Sequence, residues 1–185
     1  YYAGLFRPDP VMTLERSVSA STTRITGRLT GFASATETNV VFQGTTDLSH
    51  GVLNSDGTYE INAKTRGPEL VGRVVGLEMN PQTGSSTAFG ASEALVCDAG
   101  EHCTVDVALV PVDSIPTSLE VQGGPATIVT LVVTSSGLID LPLSTWPGTV
   151  TEISVPDMPG GESLVLVVYA SNAEPAGNFS ARMDV

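Results

Sequence analysis

Short runs of alternating apolar and polar residues, each closed by a glycine- or proline-bearing turn, recur along the chain. No stretch sustains a 3.6-residue period, so the pattern predicts strands and no long helix. The first group of runs is Arg24 to Phe32, Asn39 to Gln43, Thr58 to Ala63, Glu69 to Met79 and Thr104 to Val110. In the first of these, Ile25, Gly27, Leu29 and Gly31 share one side; in the last, Val105, Val107 and Leu109 point inward. Asn54-Ser55-Asp56-Gly57 reads as a tight turn with Gly57 at positive φ, and Asn80-Pro81 to Ser86 reads as a loop. Pro111 and Pro116 then bracket four residues, and two prolines this close stiffen a linker and block strand continuation. Beyond them lie six further runs: Leu119 to Gln122, Ala126 to Thr134, Leu138 to Ser144, Thr149 to Val155, Ser163 to Ala170 and Asn178 to Asp184.

This spacing predicts an all-β chain of two tandem β-sandwich domains, Ig-like or transthyretin-like, with an extended N-terminal arm. The expected divisions are residues 1–22 for the arm, 23–111 for the first sandwich, 112–116 for the linker and 117–185 for the second. In the first half, Ile25-Thr26-Gly27-Arg28-Leu29 looks like an opening strand with its glycine. Asn39-Val40-Val41-Phe42 looks like the next strand, and Ser55-Asp56-Gly57-Thr58-Tyr59-Glu60-Ile61 like a hairpin signature. On these pieces the first half resembles the transthyretin-like sandwich of the carboxypeptidase regulatory-like domains, a family that is mostly structural or accessory. The second half is Ig-like only in general character.

The arm departs from the ordinary behaviour of a terminus, which is polar and frayed unless tied down. Tyr1, Tyr2 and Phe6 are three of the chain's ten aromatic residues (five Phe, four Tyr, one Trp). Leu5, Met12 and Leu14 add apolar bulk, and the Arg7 to Pro10 break separates the aromatic tip from an alternating stretch over Val11 to Ser19. Such residues bury large areas when they dock. Six strands also fall one short of an Ig-type sandwich, which leaves a groove and an unpaired edge. The arm is the candidate to fill that gap, in its own chain or in a neighbour.

Composition narrows the functional classes. Formal net charge is −12, with eight Lys and Arg against twenty Asp and Glu. Such a field repels phosphate backbones and anionic lipid heads, which makes nucleic acid an improbable partner. The longest apolar stretches, Ala126 to Val133 and Leu164 to Ala170, are strand-length, well short of the roughly 20 residues a membrane-spanning helix needs. No initiator methionine precedes Tyr1, which fits either mature material after cleavage of a leader or a trimmed chain. Cys97 and Cys103 flank five residues that include Gly100, so a hairpin tip brings the sulfurs together and a disulfide is the leading reading. Ligation of a metal by Cys97, Cys103 and His102 is the weaker alternative, because the spacing matches no zinc pattern.

The search for chemistry returns little. His50 lies in Asp47-Leu48-Ser49-His50-Gly51, read as a polar turn, and His102 lies between the cysteines. No Gly-x-Ser-x-Gly elbow, paired-histidine zinc motif or complete calcium loop is present. Transthyretin-like hydrolases carry a C-terminal Tyr-Arg-Gly-Ser motif. This chain ends Ala181-Arg182-Met183-Asp184-Val185, so that activity is not expected. Lys64 follows a middle strand, the wrong place for the isopeptide bond of some surface adhesins. Asn178-Phe179-Ser180 is a glycosylation sequon. Trp146, with Pro147 and Gly148, is the best hint of glycan contact, although a lone loop tryptophan more often covers a core. The expected protein is thus no enzyme, with no cofactor and no metal. It is read as a structural subunit of an extracellular or cell-surface assembly that pairs with copies of itself by strand addition. The runner-up is a secreted monomeric module for a glycan or surface receptor.

Overall fold

The computed structural model describes residues 20–118, 126–147, 152–159, 162–172 and 177–184. They form sixteen strands, and no helix among them is long and apolar enough to cross a membrane. The all-β class is the one the alternation predicts. The arm residues Tyr1, Tyr2, Leu5, Phe6, Met12 and Leu14 lie outside the described residues.

The first ten strands are β1 (Ser21–Thr30), β2 (Thr38–Gly44), β3 (Leu48–Leu53), β4 (Thr58–Thr65), β5 (Glu69–Met79), β6 (Ser86–Ala91), β7 (Leu95–Asp98), β8 (His102–Thr104), β9 (Val107–Ala108) and β10 (Val110–Pro111). They are linked in one path, β10-β6-β5-β2-β3-β4-β1-β8, with β7 on β5 and β9 on β1. The path curls, so that β3 joins a β1–β4 layer to a β2–β5–β6 layer across a core of Ile25, Leu29, Phe42, Tyr59, Ile61, Val74 and Leu109.

Local sequence explains the joins. Gly57 takes φ +86 in the Asn54–Gly57 turn, as predicted, and that turn sets the β3–β4 hairpin. Gly27 is needed for closure: a Cβ there would stand 1.7 Å from the Val105 carbonyl oxygen, so only glycine lets the chain after β8 lie against β1. The Tyr59 hydroxyl donates to the same carbonyl. Burial, and secondarily Asp106, raises the Tyr59 phenol well above its ordinary value, so it stays a donor.

Several elements differ from the sequence expectation. Leu48–Leu53 is strand β3 and not a polar turn, because its backbone pairs with both β2 and β4. The single run expected over Thr104 to Val110 is three short pieces that pair successively with β1 and β6. Ser114–Ser118, within and just past the stretch that reads as a linker, is strand β11, antiparallel to β14 (Glu152–Pro156). Pro116 is accommodated there because this pair has no further strand among the described residues, and edge strands tolerate proline.

The remaining strands are β12 (Ala126–Thr134), β13 (Leu141–Pro147), β15 (Ser163–Asn172) and β16 (Gly177–Asp184), ordered β13-β12-β15-β16. One hydrophobic cluster crosses the Pro111–Pro116 stretch. Val129, Leu131, Val133, Leu143, Leu164 and Leu166 meet Val41, Val75, Leu77 and Phe89 from β2, β5 and β6. The β2–β5–β6 layer is therefore buried on both faces.

Candidate functional site

The double burial leaves an opening. On β2, Val41 stands between Val75 of β5 and His50 of β3, and Asn39 stands beside Leu77. Because strand side chains alternate in direction, Val41, Val75 and Leu77 face away from the inner core toward β13. There Leu141, Pro142 and Leu143 meet them, with Leu48 and Met79 at the sides. The result is a cleft of about 370 Å³. Its floor is buried aliphatic surface; His50 and Asn39 are exposed at its rim.

Polar contacts fix the cleft's ends. Gln43 is fully buried, and its side-chain amide donates to the Ile139 carbonyl at 2.7 Å. Its carbonyl accepts from Arg73 Nε at 2.9 Å. Arg73 in turn grips Glu162 with both terminal nitrogens, at 2.6 and 2.9 Å. The Ile139 amide donates to the Gly44 carbonyl at 2.9 Å. Every polar atom of the buried Gln43 amide thus has a partner, the condition under which burying it is tolerable. Farther along β13, Ser144 Oγ donates to the Gly84 carbonyl at 2.8 Å. Between these ties β13 is the end strand of its sheet, and no strand pairs with its outer edge among the described residues. An unpaired edge beside an apolar cleft can take up an extended apolar segment: main chain to the edge, side chains to the floor.

The structure also places the other candidate residues. Cys97 and Cys103 form a disulfide with a Cα–Cα separation of 6.3 Å. His102 shares a 2.8 Å hydrogen bond with Thr26 Oγ1 and has no metal-ligating cluster around it. No group of three or more potential ligands occurs among the described residues. His50 is exposed on β3, at the rim of the cleft, far in the pairing scheme from His102. Trp146 is half-buried against the shared cluster. Lys64 is exposed on β4, opposite Thr22. Asp56 accepts from the Thr58 hydroxyl at 2.7 Å and the Thr58 amide at 3.0 Å. Those bonds, the hydroxyl's first, hold its carboxyl below the usual range, and they use it within its own turn. None of these positions lines the cleft except His50.

Sequence reasoning missed the cleft residues Val41, Leu48, Val75, Leu77 and Met79 as a group. The available signal was the loss of alternation in Val40-Val41-Phe42 and in Val74 to Met79, which marks a strand covered on both sides.

Fold and cleft together define an all-β protein with curled sheets. No protein-family model matches the chain, and no curated protein matches it. Among solved structures the chain is similar to one described as a "putative adhesin from Bacteroides ovatus". The identity is 14% and the TM-score 0.30, over 100% of this chain and 88% of the other.

Proposed function

We propose that this chain is a structural subunit of an extracellular or cell-surface assembly. It is read as two sandwich units, the first transthyretin-like, preceded by an arm that adds to the β13 edge of a neighbouring copy. The observation that supports the reading is the coincidence of β13, an edge strand with no outer partner among the described residues, with an apolar cleft floored by Val41, Val75, Leu77, Leu141 and Leu143. The arm supplies complementary groups: Leu5, Phe6, Met12 and Leu14 for the floor and main chain for the edge. Nineteen residues precede Ala20, and a fully extended segment of that length would span roughly 60 Å. Such a contact is head-to-tail, and repeated without closing into a ring it builds filaments. The disulfide fits the oxidising surroundings of a secreted protein.

Electron microscopy of the purified protein, with light scattering at several concentrations, tests this directly. Filaments that vanish on deletion of residues 1–10, and on Leu48→Glu at the cleft wall, are the expected result. A concentration-independent monomer would sink the assembly reading and leave a secreted binding module in its place.

A further inference from the structure

The curled first unit has a seam between its two layers. On one side β7 lies antiparallel to β5, pairing Leu95–Asp98 with Gly72–Glu69. On the other, β8 lies parallel to β1, pairing His102–Thr104 with Arg24–Thr26. The turn at Asp98 to Glu101 carries the chain from β7 to β8, with Gly100 at φ +86, and the Cys97–Cys103 disulfide ties the two strands just below it. The bond therefore staples one layer to the other across the seam. Cys97 is 3% exposed and belongs to the inner core with Ile25, Ile61 and Leu70, whereas Cys103 sits half-buried above it.

What holds β8 in place without that bond is slight. It is three residues long, and both His102 and Thr104 are exposed. Besides its short ladder to β1, its attachments are few: the Arg24 amide to the Glu101 carbonyl at 3.1 Å, the Val105 amide to the Thr26 carbonyl at 2.9 Å, the Gly100 amide to Thr23 Oγ1 at 3.0 Å, and the solvent-exposed bond between His102 Nε2 and Thr26 Oγ1 at 2.8 Å. A strand this short, with its polar groups open to water, has little burial of its own to keep it ordered. The ring closed by the disulfide is small, so its effect on the entropy of the whole unfolded chain is modest. Its leverage is local. Below the seam, β9 and the Tyr59 hydroxyl hold the chain from Val105 onward against β1 without help from sulfur.

We propose that the Cys97–Cys103 disulfide is a redox latch on the β1 edge. Reduction by a dithiol or phosphine cleaves the S–S bond; two electrons and two protons yield two thiols, and the reductant is oxidised. Strand β8 then leaves β1, uncovering the main-chain groups of Arg24 to Thr26, while the two-face core under the cleft stays folded. In oxidising surroundings the edge is shut; in reducing ones it is open to another strand.

The test is amide hydrogen exchange on the full chain, before and after a phosphine reductant, with thiol alkylation and mass measurement to confirm that both cysteines are reduced. The expected result is exchange at least tenfold faster for the amides of Arg24 and Gly100, with those of Val74, Val75 and Leu131 unchanged. Unchanged protection at Arg24 in fully reduced protein would overturn the latch, because β8 would then hold itself. Uniform acceleration through β2, β5 and β12 would overturn it too, by showing the bond to be a staple for the whole fold. Cys103→Ser gives the same reading without reductant.

Discussion

The β1–β4 layer and the β2–β5–β6 layer belong to one curled sheet, yet their sequences follow different rules. Along β4 every second residue is buried, from Tyr59 through Ile61 and Ala63 to Thr65, and the residues between face solvent. Along β2 the run from Val40 to Gly44 is buried without a break. Strand β5 shows both behaviours in one element: Glu69 to Gly72 alternates, and Val74 to Glu78 does not. The change falls where the strand leaves its pairing with β7 and passes under β13. Loss of alternation is thus a record of a second layer above the strand, readable to within a residue or two.

The contrast can be broken most severely from the doubly buried side. Phe89→Ala removes a ring that is 1% exposed in the shared cluster and is expected to cost about 3–5 kcal/mol in chemical denaturation. Val52→Ala, at a β3 position 70% exposed, should stay within about 0.5 kcal/mol. Equal effects would show that the second layer contributes nothing.

Next in size is the polar tie. Arg73→Met strands the Glu162 carboxylate, whose side chain is 17% exposed, and is expected to cost about 3 kcal/mol; the double variant Arg73→Met with Glu162→Leu should recover part of that. A smaller effect belongs to Tyr59. Its phenol titrates higher in the fold than its ordinary value of 10.0, so the stability it confers is complete below pH 10 and is lost as pH rises toward the folded value. Tyr59→Phe should cost about 1 kcal/mol at pH 8 and flatten the fall of the urea midpoint between pH 9 and 11. An equally steep fall in both proteins would assign the alkaline loss elsewhere. Least affected should be Glu60→Gln on the outer face of β4. The Arg24–Glu60 pair is solvent-exposed, so thermal melts of variant and parent should coincide.

These two rules also explain what was legible beforehand. The β1 and β4 runs, the Gly57 turn, β12 and the Cys97–Cys103 pairing could be read because each depends on local alternation, one turn glycine or a short loop. The limits of β5 were legible from its recurring branched aliphatic residues, Leu70, Val71, Val74, Val75 and Leu77. Strand β3 was not, because Leu48-Ser49-His50-Gly51 carries two small polar residues and a histidine; its order comes from pairing on both sides. Strand β11 was hidden by Pro116, a residue that speaks against a central strand but not an edge. The cleft was least legible, since it takes side chains from β2, β3, β5 and β13, brought together only by the folding of one region onto the other. Gln43, Arg73 and Glu162 look like ordinary surface residues in sequence; only the structure joins them.

Pro111 and Pro116 acquire a mechanical meaning from the strands around them. Val110–Pro111 is laid against β6, and Ser114–Ser118 runs antiparallel to β14. The Val112 amide between them donates to the Thr87 carbonyl at 3.0 Å. A chain pulled from its two ends does not meet a slack hinge there. The stretch is tied by strand pairing on both sides, to β6 before Val112 and to β14 after it. The crossing between the two regions is therefore a bonded joint, ordered by its pairing to a strand of each region.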